Sequence, residues 1–163
     1  MTVDGRPHDV TGLSWMDREF GSSFLEPGQQ GWDWFSLQLD DGRDLMLYQL
    51  RREDGSADPY SAGTLTARDG TTTRLAKKDF TLTPTKTWRS DVTGAGYPVA
   101  WTLEIPAQGI RLETTATFLA QEFESESISY WEGAIDVSGT QSGRGYLEMT
   151  GYSGNALSEV LTQ

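Results

Sequence analysis

Residues 31–51 read GWDWFSLQLDDGRDLMLYQLR, and this stretch decides how the rest of the chain is interpreted. Apolar and polar side chains alternate from Trp32 to Leu39, as expected for a strand with one buried face. The turn Asp40-Asp41-Gly42 follows, and an Asp-Gly pair supplies the positive φ angle that a tight connection needs. A second run, Leu45 to Arg51, comes soon after it. The stretch therefore predicts a β-hairpin.

The same alternation recurs along the chain and is interrupted by turn signals. A second hairpin is predicted where Ser61–Arg68 and Thr71–Leu75 flank the turn Asp69-Gly70. Further alternating runs are Phe80–Thr85, Val99–Ile105, Ile110–Phe118, Tyr130–Val137 and Gly145–Tyr152. Together they predict an all-β fold of about eight to ten short antiparallel strands in meander order. An up-and-down β-barrel hides the strand edges most economically, and a sandwich is its competitor.

The chain has 163 residues and shows no internal repeat or linker, so residues 1–163 are predicted to form a single domain. One short C-terminal helix is expected over Asn155 to Leu161, with Ser153 or Asn155 as its N-cap. A barrel of eight strands leaves room for side-chain filling or for one small ligand.

Composition excludes several classes of function. Cysteine is absent and His8 is the single histidine, which excludes disulfide scaffolds, thiolate metal sites and His-rich zinc sites. The formal net charge of −11 argues against nucleic acid and anionic membranes as partners. No apolar run approaches the ~20 residues of a membrane helix, and the polar N-terminus has no signal-peptide core. The expected location is therefore cytoplasmic.

Asp33 is the first candidate for chemistry. In a strand it shares a face with Phe35, Leu37 and Leu39, and that face is too apolar to point to solvent. An acid on such a face either pairs with a cation or has a raised pKa. The structural alternative is an acid held by backbone amides. If the register is shifted by one residue, Trp32 and its neighbours of the same parity line the interior instead.

A second candidate cluster is Asp17, Arg18, Glu19 and Phe20. If Arg18 lies on an apolar face, it is a permanently charged donor that can hold Asp33 or a substrate oxygen. The alternative is an edge strand whose charges face water. Three other arginines compete with Arg18 as partners of Asp33, and the sequence does not choose among them: Arg51, Arg111 and Arg144.

A third candidate face carries Tyr146, Glu148, Thr150 and Tyr152 on the last predicted strand, beside Tyr130 and Glu132 on the strand before. Tyrosine and glutamate in an enclosed space can perform acid–base work, but an ordinary solvated surface is the favoured interpretation. Scattered aromatic residues are expected in the core or in a pocket wall. The candidate substrate-binding residues are Phe20, Trp32, Trp34, Tyr48, Trp88, Trp101, Trp131, Tyr146 and Glu148.

Five segments together resemble a known family. They are Trp15 to Phe20, residues 31–42, residues 45–51, Tyr130-Trp131-Glu132-Gly133, and GRGYLEMTGY at 143–152. The chain resembles the C-terminal lipocalin-like domain of the carotenoid 1,2-hydratase-like and AttH-like family. The resemblance implies a calycin-type antiparallel barrel with a mostly apolar pocket and no cofactor or metal. Members of the family commonly carry two such barrels, and this chain holds one.

The resemblance also implies a chemistry. The family includes enzymes that add water to isoprenoid double bonds, and relatives in natural-product pathways perform cyclisations, including pericyclic ones. In hydratase-type members a motif near the first strand reads Asp-His-Glu-Trp. The matching positions here are Asp17, Arg18, Glu19 and Phe20. Arg18 cannot shuttle a proton near neutral pH, and Phe20 has no indole N–H, so this departure disfavours hydration.

The favoured hypothesis is a cofactor-independent cyclase or isomerase of a hydrophobic polyene or polyketide-type intermediate. Aromatic walls impose the reactive shape, and Asp33 with Arg18 polarises or holds the polar end. The alternatives are a hydratase or hydrolase of an isoprenoid-like substrate and a non-catalytic domain that binds hydrophobic ligands. The expected partner is a hydrophobic small molecule. Aromatic residues on both faces of Trp32 to Leu39 also suggest a homodimer.

Overall fold

The structure is a computed structural model that describes residues 1–17, 25–125 and 129–154. Two one-turn 3-10 helices, Lys77–Asp79 and Pro106–Gln108, interrupt the strands. In the described residues no helix is long and apolar enough to cross a membrane. The helix expected over Asn155 to Leu161 lies outside the described residues.

The strands are β1 (Thr2–Val3), β2 (Arg6–Pro7), β3 (Gln29–Leu39), β4 (Asp44–Arg52), β5 (Ala62–Thr66), β6 (Thr72–Ala76), β7 (Thr81–Arg89), β8 (Gly96–Ile105), β9 (Ile110–Ala116), β10 (Glu122–Glu124), β11 (Ser129–Gly139) and β12 (Gly143–Thr150).

All of these strands except β1 and β2 belong to one antiparallel sheet. Its order is β6-β5-β4-β3-β12-β11-β9-β8-β7, and β10 pairs with the beginning of β11. Neighbours in the sheet are mostly neighbours in sequence, as in a meander. One exception is the pairing of β9 with β11, which skips the short strand β10. The other is the pairing of β3 with β12, which joins the two ends of the sheet-forming chain and places Asp33 opposite Met149.

The sheet is curled into a half-barrel. Its two outermost strands, β6 and β7, are connected only by residues 77–80. A connection of this length spans at most about 18 Å, because each residue advances the chain by no more than ~3.6 Å. In a flat sheet of nine strands the outer strands would be about 38 Å apart, since neighbouring strands lie ~4.8 Å from each other. The predicted all-β, antiparallel, lipocalin-like fold is confirmed.

Both predicted hairpins are confirmed. β3 pairs with β4 across the turn at Asp40-Asp41-Gly42, where Gly42 has a φ of +84°. β5 pairs with β6 across Asp69-Gly70, where Gly70 has a φ of +86°. Glycine adopts this left-handed backbone without the steric penalty that a Cβ atom brings. The turn residues thus set the registers of both hairpins.

The predicted inner face of β3 is also the observed one. Phe35, Leu37 and Leu39 are buried together with Leu45 and Leu47 of β4, so the register is not shifted by one residue. Phe35, Leu37, Leu45 and Leu47 have no exposed surface at all, which leaves no room for a water molecule beside them. The protein's own side chains therefore fill the middle of the half-barrel, as in other closely packed interiors. A ligand has to be sought nearer one end.

Candidate functional site

Asp33 lies on the inner face of β3, and its side chain is completely buried. Arg51, near the end of β4, forms its ion pair, with 2.5 Å between Nη1 and Oδ1. The other terminal nitrogen of Arg51 donates a hydrogen bond to the backbone oxygen of Thr150 on β12. The guanidinium group thus connects three adjacent strands at one end of the half-barrel.

The structure therefore selects one of the four arginines for Asp33. Arg51 follows the buried residues Leu45 and Leu47 at even spacing, which places its side chain on the inner face. Arg111 is exposed and forms ion pairs with Glu104 and Glu113. Arg144 is exposed too, and Arg18 lies outside the described residues.

Gly31 makes room for this ion pair. It lies opposite Arg51 in the register of β3 and β4, next to a bulge. A Cβ atom on Gly31 would lie 2.8 Å from Nη2 of Arg51 and would collide with the backbone oxygen of Thr150. The strand can approach both groups only because the residue has no side chain.

We expect the substitution Gly31→Ala to lower the free energy of unfolding by about 1–3 kcal/mol, the usual cost of overpacking a filled site. The matched control is Gly12→Ala, because nothing lies within 4 Å of that position and its backbone is not left-handed. Urea denaturation of both variants measures the difference. Equal stability of the two variants would contradict the crowding at Gly31.

Tyr152 completes the cluster around Asp33. Its hydroxyl donates a hydrogen bond of 2.9 Å to Oδ1 of Asp33, and the Cζ atom of Arg51 lies 3.9 Å from the centre of its ring. The sequence pattern placed Tyr152 on one face with Tyr146 and Glu148. In the structure β12 ends at Thr150, and Gly151 adopts a φ of +74°, so the alternation stops before Tyr152. That expectation is corrected: the ring belongs to the Asp33 cluster.

Burial raises the pKa of Asp33, although the charge of Arg51 and the hydrogen bonds from Tyr152 and Arg51 oppose the shift. Oδ1 receives both of these donors. Oδ2 is buried and has no hydrogen-bond partner among the described residues. Burial, followed by the negative charge of Asp33, also raises the pKa of Tyr152. The cluster therefore contains an acid that ionises less readily than usual, next to a permanent cation.

An aromatic row extends from this cluster. The Tyr97 ring on β8 lies 5.5 Å from the Tyr152 ring, and Trp88 on β7 stacks on Tyr97 at 6.3 Å. Tyr97 donates a hydrogen bond of 2.9 Å to Glu122. The sequence reasoning named neither Tyr97 nor Glu122. The first could have been found, because the alternation of Val99 to Ile105 continues backwards to Tyr97; no spacing pattern links Glu122 to the site.

Several predicted substrate-binding residues lie on the outer face of the sheet. Trp34 is paired with Tyr48 on one side and with Glu148 on the other. The Trp32 indole donates a hydrogen bond of 3.2 Å to Glu148, and Tyr146 is half exposed. These five residues therefore point away from the face that carries Asp33. A role in binding substrate on that outer face stays a prediction.

Two of the predicted tryptophans are core residues. Trp101 and Trp131 are buried, and their indole nitrogens donate hydrogen bonds of 2.7 Å to the backbone oxygens of Pro98 and Leu119. Each ring is thus packed and satisfied by the protein itself, whereas Trp88 is partly buried beside Tyr97.

The predicted cluster near the N-terminus is only partly described. Asp17 is exposed and accepts a hydrogen bond of 3.5 Å from Trp15. Trp15 in turn makes an edge contact with Trp34 on the outer face. Arg18, Glu19 and Phe20 lie outside the described residues, so their roles stay predictions.

Comparisons with known proteins agree with this fold. A search of the curated proteins returns no match. Among solved structures, the chain is similar to a candidate AttH protein from Nitrosomonas europaea, with a TM-score of 0.74 and 37% sequence identity. The match covers 80% of this chain and 41% of the other, so this chain spans less than half the length of that neighbour. The family model for AttH-like proteins matches residues 1–152, and the chain therefore belongs to the AttH-like family.

Proposed function

We propose that the chain is a cofactor-independent cyclase or isomerase that acts on a hydrophobic polyene or polyketide-type intermediate. The reaction takes place at the end of the half-barrel where Asp33, Arg51 and Tyr152 meet. One observation carries this proposal: a fully buried carboxylate fixes an arginine on an aromatic ring, while its own Oδ2 has no hydrogen-bond partner in the part of the chain that the structure describes.

Arg51 is the group that polarises the substrate in this proposal, in the role that the sequence suggested for Arg18. Asp33 and the backbone of Thr150 fix its orientation, and 14% of its side chain remains exposed at the end of the half-barrel. A guanidinium held in advance can stabilise negative charge that develops on a carbonyl or ether oxygen without reorganising during the reaction. Such an oxygen is the polar end expected of the substrate.

Tyr152 and Trp88 are the partly exposed rings of the aromatic row, and they supply the wall that shapes the apolar part of the substrate. The Tyr97 ring lies fully buried between them. Tyr152, Tyr97 and Trp88 lie side by side and continue from Arg51. Holding a flexible chain close to its reactive shape can contribute roughly 7–11 kcal/mol in favourable cases. Cyclisation and isomerisation need little proton transfer, which suits a site whose permanent charge is an arginine.

Hydration is the second candidate because of the raised pKa of Asp33. A carboxylic acid that keeps its proton can protonate an alkene, and water then adds to the cation. The two reactions differ in mass balance. Cyclisation gives an isomer of the substrate, whereas hydration adds one oxygen and two hydrogens from the solvent.

The experiment incubates the purified protein with 2,3-oxidosqualene and geranylgeranyl methyl ether, two polyenes whose ether oxygen does not exchange with water. The reaction is run in ¹⁸O-labelled water, and the products are analysed by mass spectrometry. We expect an isomer without label. Labelled product supports hydration instead, and binding without turnover supports a ligand-binding domain; either result would overturn the proposed cyclase or isomerase.

Asp33→Asn is the informative variant. We expect its turnover to fall on the order of 10²- to 10³-fold, as when a preorganised charge is lost from an active site. Asp58→Asn is the matched control, because Asp58 is also buried and ion-paired, to Arg52 at 2.8 Å. Among the described residues, its carboxylate accepts a hydrogen bond from the Tyr60 amide and forms no ion pair with Arg51. Undiminished turnover in Asp33→Asn would exclude this cluster from the reaction.

A further inference from the structure

Glu122 on β10 is held by three hydroxyl groups. Its Oε1 accepts hydrogen bonds from Tyr97 at 2.9 Å and from Thr93 at 2.6 Å, and its Oε2 accepts one from Ser90. No lysine or arginine of the described residues forms an ion pair with it. Burial raises the pKa of Glu122, but the hydrogen bonds from Ser90, Thr93 and Tyr97 outweigh that effect and lower it overall.

The same carboxylate organises the turn between β7 and β8. Ser90 accepts hydrogen bonds from the amides of Val92 and Thr93, and the Thr93 hydroxyl accepts one from the amide of Ala95. Both hydroxyls use their own protons for Glu122. Glu122 thus attaches this turn, residues 90–95, to β10. Tyr97, the middle ring of the aromatic row, follows shortly after the turn.

Tyr152 depends on side-chain contacts for its position. It follows the end of β12, so no strand pairing fixes its backbone. Three groups hold its side chain: the carboxylate of Asp33, the guanidinium of Arg51 and the ring of Tyr97. Two of them belong to the proposed site. The third, Tyr97, is held at its hydroxyl by Glu122.

We propose that Glu122 is a positioning residue that acts through Tyr97 to hold the Tyr152 ring on Arg51. The sequence of contacts runs from Glu122 to Tyr97, from Tyr97 to Tyr152, and from Tyr152 to both Arg51 and Asp33. This inference rests on the proposed function for its catalytic consequence. The positions of the rings can be measured without any substrate.

The test labels the protein with 3-fluorotyrosine and records ¹⁹F NMR spectra of the wild type, Glu122→Gln and Glu124→Gln. The Tyr152 signal is assigned by its loss in Tyr152→Phe. Glutamine keeps the size of Glu122 but replaces one acceptor oxygen with a donor, so it cannot accept all three hydrogen bonds. Its amide oxygen, in the place of Oε1, can still accept from Tyr97 and Thr93, so Glu122→Leu, which accepts none of the three, is recorded as well. We expect Glu122→Gln to shift the Tyr152 signal. Glu124→Gln removes the same charge from an exposed site on the same strand and leaves the signal in place.

Tyr97→Phe tests the link independently and keeps the core ring. In the labelled protein it removes the hydroxyl that meets Glu122 together with the fluorine of that ring, and we expect it to shift the Tyr152 signal in the same direction as Glu122→Leu. In the double variant Glu122→Leu/Tyr97→Phe the shift should be smaller than the sum of the single shifts, because both changes break the hydrogen bond between Tyr97 and Glu122. If the Tyr152 signal does not move in Glu122→Gln, in Glu122→Leu or in Tyr97→Phe, the proposal is wrong. Glu122 then serves only to organise the turn between β7 and β8.

The catalytic readout separates this inference from the proposed function. We expect Glu122→Gln to lower kcat up to about 100-fold with little change in KM, because displacement of a positioned group slows the chemical step. If no wild-type turnover is found while the Tyr152 signal still shifts, the proposed function fails and the positioning role stands. If the signal shifts and kcat is unchanged, the positioning has no catalytic consequence and that part of the inference is wrong.

Discussion

Arg51→Met is expected to lower the free energy of unfolding by about 3–5 kcal/mol, because removal of one partner leaves the other charge buried and unpaired. Asp33 is fully buried and receives its ion pair from Arg51. The remaining donor to its carboxylate is the hydroxyl of Tyr152. Chemical denaturation at neutral pH measures the loss.

The effect of Arg51→Met should depend on pH. Burial raises the folded-state pKa of Asp33 above its ordinary value of 3.8, and the charge of Arg51 opposes that shift. Removal of Arg51 therefore raises this pKa further. A group with a raised folded-state pKa contributes stability below its unfolded pKa and loses it as the pH rises through the folded value. The difference between wild type and variant should be smallest near pH 4 and should grow toward neutral pH.

Arg52→Met is the matched control for Arg51→Met. Arg52 pairs with the buried Asp58, but 42% of its side chain is exposed, so water can replace much of its interaction. We expect a clearly smaller loss for this variant. The double variant Asp33→Leu/Arg51→Met should recover most of the lost stability, because it leaves no buried charge. Equal losses of stability in Arg51→Met and Arg52→Met would show that the buried ion pair of Asp33 stabilises the fold no more than the partly exposed pair of Asp58.

Trp131→Ala is expected to cost about 3–5 kcal/mol of stability, as for other large aromatic residues removed from a core. Trp131 has no exposed surface, and its indole donates a hydrogen bond of 2.7 Å to Leu119. The substitution leaves a cavity and removes one hydrogen bond to the Leu119 oxygen, which still accepts one from the amide of Gln121 at 3.0 Å. Replacing a tryptophan that lined an open pocket by alanine would lower the stability much less, because one side of its ring would already lack protein contacts.

Trp34→Ala serves as the comparison for Trp131→Ala. Trp34 is of equal size and lies on the outer face of β3, where it is only partly buried. We expect a distinctly smaller loss at Trp34 in urea denaturation. If the order is reversed, with Trp34→Ala the less stable variant, the assignment of Trp131 to the core is wrong.

The sequence predicted local features of the site well. Alternation placed Asp33 among Phe35, Leu37 and Leu39, and the structure buries all of them on one face. The two Asp-Gly turns predicted the hairpins, because a tight turn requires a positive φ that glycine adopts freely. Such features depend on residues within a few positions of one another, so they can be predicted from the sequence alone.

The arrangement of the site was harder to predict because its partners are distant in sequence. The favoured hypothesis paired Asp33 with Arg18, with three other arginines as competitors, and only the register of β3 and β4 selects Arg51. Tyr152 was assigned to the wrong face, because β12 ends at Thr150, two residues earlier than the alternation suggests, and Gly151 turns the backbone away. Glu122 lies close to Tyr97 because β10 pairs with β11. No local sequence pattern predicts that pairing.

The sequence by itself determined most strands of the main sheet, the buried face of β3 and the acid that would lie inside. These follow from the two-residue period of a β-strand and from the conformational freedom of glycine. Only the tertiary structure decided that Arg51 and Tyr152 surround Asp33 and that side chains fill the middle of the half-barrel. The physical reason is that the curvature of a sheet and the packing of its interior depend on every strand at once. The identity of a neighbour across the half-barrel is therefore a property of the whole chain.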